Sequence, residues 1–78
     1  MSPIAPTKES LGLAVRELRT RAGLSQEELA RRSGLHPTYI SGIERGLRNP
    51  TWRSLGRVCE ALDVRMSELA ALAERGGK

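Results

Sequence analysis

The run Leu24-Ser25-Gln26-Glu27-Glu28-Leu29-Ala30-Arg31-Arg32-Ser33-Gly34-Leu35-His36-Pro37-Thr38-Tyr39-Ile40-Ser41-Gly42-Ile43-Glu44-Arg45-Gly46 decides how this chain folds. Ser25 with Glu28 is a capping box. The serine side chain accepts from the Glu28 N–H, and the glutamate reaches back to the Ser25 N–H. This predicts a helix from Gln26 to about Ser33, with Leu29 and Ala30 inward and Gly34 as its stop. Pro37 suits the first turn of a second helix, where a missing N–H forfeits no intrahelical bond. Ile40 and Ile43 give that helix an inner face, and Gly46 ends it. Only Gly34, Leu35 and His36 lie between the two, with His36 as a turn or cap residue. So short a link makes the second helix cross the first steeply, as in a helix-turn-helix unit. Pro37, Thr38, Ser41, Gly42 and Arg45 then face outward, opposite the two isoleucines. Ser41 and Gly42 are small enough for the helix to approach a surface closely, and a DNA major groove admits one α-helix.

Working outward, a helix is expected from about Lys8 to Arg21, capped by Thr7 and stopped at Gly23. Its Leu11, Ala14, Val15 and Leu18 lie on one face. A fourth helix follows Pro50, with Thr51 as cap and Leu55, Val58, Cys59 and Leu62 inward; Trp52 is read as one of its packing residues. A fifth runs from about Met66 to Ala73 with Leu69 and Leu72 inward, and Arg65 is a poor cap for it. No stretch alternates apolar and polar residues with β-branched enrichment, so no strand is expected. The fold class is all-α, a compact five-helix domain over residues 7–75. Residues 1–6, with Pro3 and Pro6, are read as a flexible arm, and 76–78 as a frayed tail.

The 78 residues give room for one domain. Thirteen Lys and Arg against nine Asp and Glu leave a net charge of +4. Between Arg31 and Arg57 stand Arg31, Arg32, Arg45, Arg48, Arg53 and Arg57, with Glu44 the one acid. Such a basic stripe is an electrostatic footprint for nucleic acid, and arginine matches phosphate and guanine edges in a way lysine does not. Enzyme chemistry is not expected. The single His36 and single Cys59 lie on different segments, and neighbouring Glu27 and Glu28 point to different helix faces. No cofactor, metal or small-molecule effector is implied. Cys59 has no partner for an intrachain disulfide and reads as a small core residue. No apolar run approaches the ~20 residues of a membrane span, and Met1 to Thr7 lacks the pattern of a signal peptide. A cytoplasmic protein is expected.

With Ser33-Gly34-Leu35, Tyr39-Ile40-Ser41-Gly42-Ile43-Glu44-Arg45-Gly46 and Asn49-Pro50-Thr51 added to the opening of the second helix, the chain resembles the phage repressor–Cro (Xre) helix-turn-helix family. Thr38 to Arg45 together with Arg48-Asn49 is similar to the controller proteins of restriction–modification systems. The resemblance covers about Leu11 to Leu72. It implies a lambda-repressor-like domain that binds double-stranded DNA and regulates transcription. Gln26 matches a position that contacts a phosphate and braces the recognition helix. Thr38 and Ser41 match base-facing positions, and Tyr39 one near the DNA backbone. Arg45 and Arg48 match basic positions that hold phosphates or base edges. Glu44 matches an acid that pairs with an arginine of the first helix, here Arg19. Pro37 departs from the pattern, standing where controller proteins often carry a base-reading arginine.

The favoured mechanism is a homodimer on a pseudo-palindromic operator, one recognition helix per subunit in successive major grooves. The dimer contact is expected in the C-terminal third, at Val64, Met66 and Leu69. Regulation of either sign is open, by blocking RNA polymerase or by touching it. The alternative is an antitoxin or other protein-interaction module on the same fold, which predicts an exposed apolar patch or a long neutralising tail.

Overall fold

Each expected helix start carries the local bond that fixes it. In a computed structural model describing residues 5–77, the helices are α1 Lys8–Arg21, α2 Gln26–Ser33, α3 Pro37–Glu44, α4 Trp52–Leu62 and α5 Met66–Glu74. Thr7 and Ser10 form one capping box and Ser25 and Glu28 another. Thr51 accepts from the Ser54 N–H at 3.0 Å. His36 caps α3 through its ring, Nδ1 accepting from the Thr38 N–H at 3.1 Å. At α5 the Glu68 carboxylate accepts from the Arg65 N–H at 3.1 Å, the half of a capping box that an arginine cap permits.

The stops are equally local. Gly34 has φ +73°, a left-handed conformation that would strain a side-chain-bearing residue. It turns the chain from α2 into α3 within three residues. The end of α4 was not marked in the sequence: Asp63 takes φ 56° there, and aspartate is among the few non-glycine residues that enter this region readily.

The core is formed by Val15, Leu29, Ile40, Ile43, Val58, Leu69 and Leu72, all essentially inaccessible, with Ala14, Leu18, Cys59 and Leu62 around them. Helix α1 packs on α5 and α3, and α2 packs on α3 and α4. One contact in this frame is backbone against backbone. Gly12 is buried, and a Cβ there would meet the carbonyl oxygens of Ile43 and Glu44, the latter at 2.8 Å. Helix α1 therefore rests directly on the C-terminal end of α3. A glycine in a helix interior costs about 1 kcal/mol relative to alanine, which was the one sequence signal of this approach.

Three expectations are corrected. Leu69 is 1% exposed and belongs to the core, where α5 packs on α1, so it offers a second subunit almost no surface of its own. Trp52 is 75% exposed, because the first residue of α4 points its ring away from the core. Gly77 is buried rather than frayed. Its N–H donates to the Leu72 carbonyl at 2.8 Å, and a Cβ there would stand 2.6 Å from the Ser10 carbonyl of α1. Of the expected arm, Ala5 and Pro6 are exposed, while residues 1–4 and Lys78 lie outside the described residues.

Candidate nucleic-acid interface

Positions 38, 41, 42 and 45 recur along one face of an α-helix. On α3 they carry Thr38, Ser41, Gly42 and Arg45. Thr38 and Arg45 are exposed and Ser41 is half-buried, while Ile40 and Ile43 on the opposite side are in the core. Pro37 is exposed at the first turn and offers no donor. Tyr39 is half-buried against the core.

Gly42 differs from its expected role. It is buried, and what covers it is the chain itself. The Arg48 side chain, coming from the loop after α3, lies across it, so that a Cβ on Gly42 would stand 2.6 Å from Arg48 Cγ and 3.4 Å from Nε. The Arg48 guanidinium carbon is 5.9 Å from the Tyr39 ring centroid, within the range of a cation–π contact.

Behind this face, polar side chains lock α3 in place. Arg19 Nε donates to Glu44 Oε2 at 2.6 Å and Nη2 to Oε1 at 2.9 Å, while Nη1 donates to the Leu24 carbonyl at 2.7 Å. Gln26 Nε2 donates to Glu44 Oε1 at 3.0 Å. The Glu44 hydrogen bonds hold the Arg19 guanidinium above its ordinary pKa, against the opposing effect of burial. The Glu44 carboxylate thus ties α1 and the start of α2 to the end of α3, and Arg19 fastens the α1–α2 link as well. The Gln26 amide keeps a second N–H for another acceptor.

The electrostatic consequence reaches the surface. The Glu44 side chain is 3% exposed and neutralised by Arg19. The basic run from Arg31 to Arg57 therefore presents no acid outward. Arg31, Arg32, Arg45, Arg48, Arg53 and Arg57 are all exposed. Arg57 flanks the α2–α3 turn, its Nη1 4.0 Å from where a Gly34 Cβ would stand. The N-termini of α2 and α3 add the partial positive charge of their free N–H groups. Among the described residues no three His, Cys, Asp or Glu side chains converge as a metal site.

Away from this face, an apolar groove of about 290 Å³ runs between the starts of α1 and α4 and the side of α5. Leu11, Trp52, Leu55, Met66 and Ala70 line it, with Leu69 at its base. Met66 and nearby Val64 are half-buried.

The helix-turn-helix family HTH_3 matches residues 15–69. Control protein C.SmaI of Serratia marcescens is 45% identical over 62 residues, covering 80% of this chain and 74% of that one. The crystal structure of the restriction-modification controller protein C.AhdI from Aeromonas hydrophila superposes with a TM-score of 0.78 at 45% identity, covering 80% of this chain and 94% of the other. The controller protein C.Esp1396I, solved as a tetramer in complex with its natural 35 base-pair operator, superposes at 0.81 with 33% identity, covering 88% and 91%.

Proposed function

Because the chain belongs to the helix-turn-helix family and is a transcription regulator of controller-protein type rather than an enzyme, we propose that it binds a pseudo-palindromic operator as a homodimer, with α3 in the major groove. The observation that carries this reading is the outward face of α3. Thr38, Ser41 and Arg45 stand on it, Arg48 lies over it, and the Arg19–Glu44–Gln26 cluster holds it rigid from behind. In this arrangement Thr38 and Ser41 meet base edges, while Arg45 meets phosphate or base. Gln26 and Tyr39 meet the DNA backbone. Pro37 places the first turn without reading a base. The buried position of Gly42 removes it from direct contact.

A second copy of the chain is the natural cover for the apolar groove, which is set apart from the α3 face. Trp52, exposed at its rim, takes over the part first expected of Leu69, with Met66 and Val64 beside it. Two recognition helices then enter successive major grooves roughly 34 Å apart. That C.Esp1396I is a tetramer on its operator supports binding by more than one copy of the chain.

Selection of duplexes from a random pool, followed by binding measurements across salt concentrations, tests the proposal. A regulator of this kind enriches two half-sites in two-fold relation, and log affinity falls steeply with log salt as arginines displace counterions. Failure to enrich any duplex at low salt refutes it.

A further inference from the structure

We propose that Leu47 packs on a thymine C5-methyl group in the major groove, and so makes the chain select thymine at one place in each half-site. The inference rests on the reading of α3 as the DNA-facing helix. It starts from how α3 ends. Arg45 closes the helix and Gly46 follows at φ +72°. The Gly46 N–H donates to the Ile43 carbonyl at 3.0 Å, and the Leu47 N–H donates to the Gly42 carbonyl at 2.9 Å. This pair of bonds around a left-handed glycine is the Schellman closure of a helix.

In that closure the residue after the glycine ordinarily packs an apolar side chain back on the last turn of the helix. Here the residues it would meet are Gly42 and Ser41. Gly42 has no side chain, and the space beside it is taken by the Arg48 stem, with Cγ 2.6 Å from where a Cβ would stand. Ser41 carries a hydroxyl. Leu47 therefore has a backbone fixed by the helix end and a side chain without its usual apolar partner. It lies outside the core cluster and is 64% exposed. Trp52 is exposed too, but it borders the apolar groove between α1, α4 and α5. Leu47 instead stands between two exposed arginines, Arg45 and Arg48. Ser41 and Gly42 belong to the outward stripe of α3, so Leu47 is an unpaired apolar group at the edge of the face assigned to DNA. Among the base edges of a major groove, the apolar group is the thymine C5-methyl. Bringing the two together removes water from both. A leucine whose backbone is already held loses little freedom in doing so.

The test removes the methyl group from either side of the contact. Duplexes selected by the wild-type protein are remade with each thymine in turn replaced by uracil, which keeps base pairing and lacks only the C5-methyl. Wild type and Leu47→Ala are measured against every duplex. The selected sites are expected to share a thymine at a fixed place in each half-site. Replacing that thymine by uracil in one half-site is expected to weaken wild-type binding about fourfold, the effect of exposing one buried methyl group. Replacing it in both should weaken binding about tenfold or more. Leu47→Ala is expected to bind the thymine duplex at least fourfold more weakly and to make no distinction between thymine and uracil there. Its affinity should keep the wild-type dependence on salt, because no charge is removed. Its melting temperature should match the wild type, since the side chain is exposed.

A wild-type protein that binds its selected duplexes equally well with uracil at every thymine would overturn the inference. So would a Leu47→Ala protein that still prefers thymine over uracil as strongly as the wild type, since another residue would then hold the methyl. A Leu47→Ala protein that loses self-association in the absence of DNA would assign the leucine to a subunit contact instead, and would overturn it as well. A wild-type protein that enriches no duplex at low salt overturns the regulator reading itself. The two failures are distinguishable, because the first three results require a protein that binds selected DNA or assembles with itself, and the last one is failure to select any duplex at all.

Discussion

The Arg19 guanidinium grips the Glu44 carboxylate with two roughly parallel hydrogen bonds, at 2.6 and 2.9 Å, across 25 residues of chain. The pair joins the framework helix α1 to the last residue of α3. It is at once a structural tie and the means by which the one acid of the basic stretch is kept from the surface. A buried pair of this kind is hard to break from one side, because the remaining charge has neither water nor a partner.

Arg19→Ala is therefore expected to cost about 3 kcal/mol, the lower end for a buried pair, since the Arg19 side chain keeps 12% exposure. In a domain of this size that lowers the melting temperature by more than roughly 10 °C. Arg19→Lys keeps the charge but not the two-pronged geometry, and should fall in between. Thermal denaturation followed by circular dichroism checks this. An Arg19→Ala protein that melts with the wild type would show that the pair contributes nothing.

Two glycines in helices make a contrasting pair. Gly12→Ala places a methyl group against the backbone carbonyls of Ile43 and Glu44, which cannot turn aside as a side chain does. It should destabilise by about 1–3 kcal/mol, as overpacked cores do, despite alanine's better helix propensity. Gly56→Ala meets nothing within 4 Å, and should stabilise α4 by about 0.5–1 kcal/mol. Urea denaturation of both variants separates the effects. A Gly12→Ala protein at least as stable as the wild type would refute the close approach of α1 and α3.

The Ser25 backbone N–H, helped by the Ser25 hydroxyl, holds the Glu28 carboxyl below the usual carboxylate range. A group whose folded pKa is depressed adds stability above its unfolded pKa. That stability is lost as the pH falls through the folded value. Wild type should thus be more stable than Glu28→Gln at neutral pH, and the difference should shrink on acidification through and below the usual carboxylate range. Paired melting curves from neutral to acid pH measure it. A difference independent of pH would mean that the carboxylate charge plays no part in capping α2.

The helices were legible because their signals are local. Ser25 with Glu28, Thr7, Thr51, Pro37, Gly34 and Gly46 act on N–H and C=O groups a few residues away, so the letters alone carry the geometry. Asp63 escaped because it ends α4 in a conformation more often taken by glycine or asparagine. The outward residues of α3 were legible for the same reason as the core. Once Ile40 and Ile43 are inward, helical spacing puts Thr38, Ser41 and Arg45 on the other side. The family resemblance paired Arg19 with Glu44 correctly, something periodicity cannot do across so long a separation.

The letters alone thus set which segments are helical, where each starts, where all but α4 stop, and which face of each is apolar. The tertiary structure alone decided the rest: that Leu69 is core and Trp52 surface, that Gly12 is a backbone contact, and that Gly42 is roofed by Arg48. A helix's apolar stripe tells which side is buried but not which neighbour covers it or how closely. A glycine tells that a side chain is missing but not what fills its place. Those answers depend on contacts between residues far apart in the chain, and only packing the helices together supplies them.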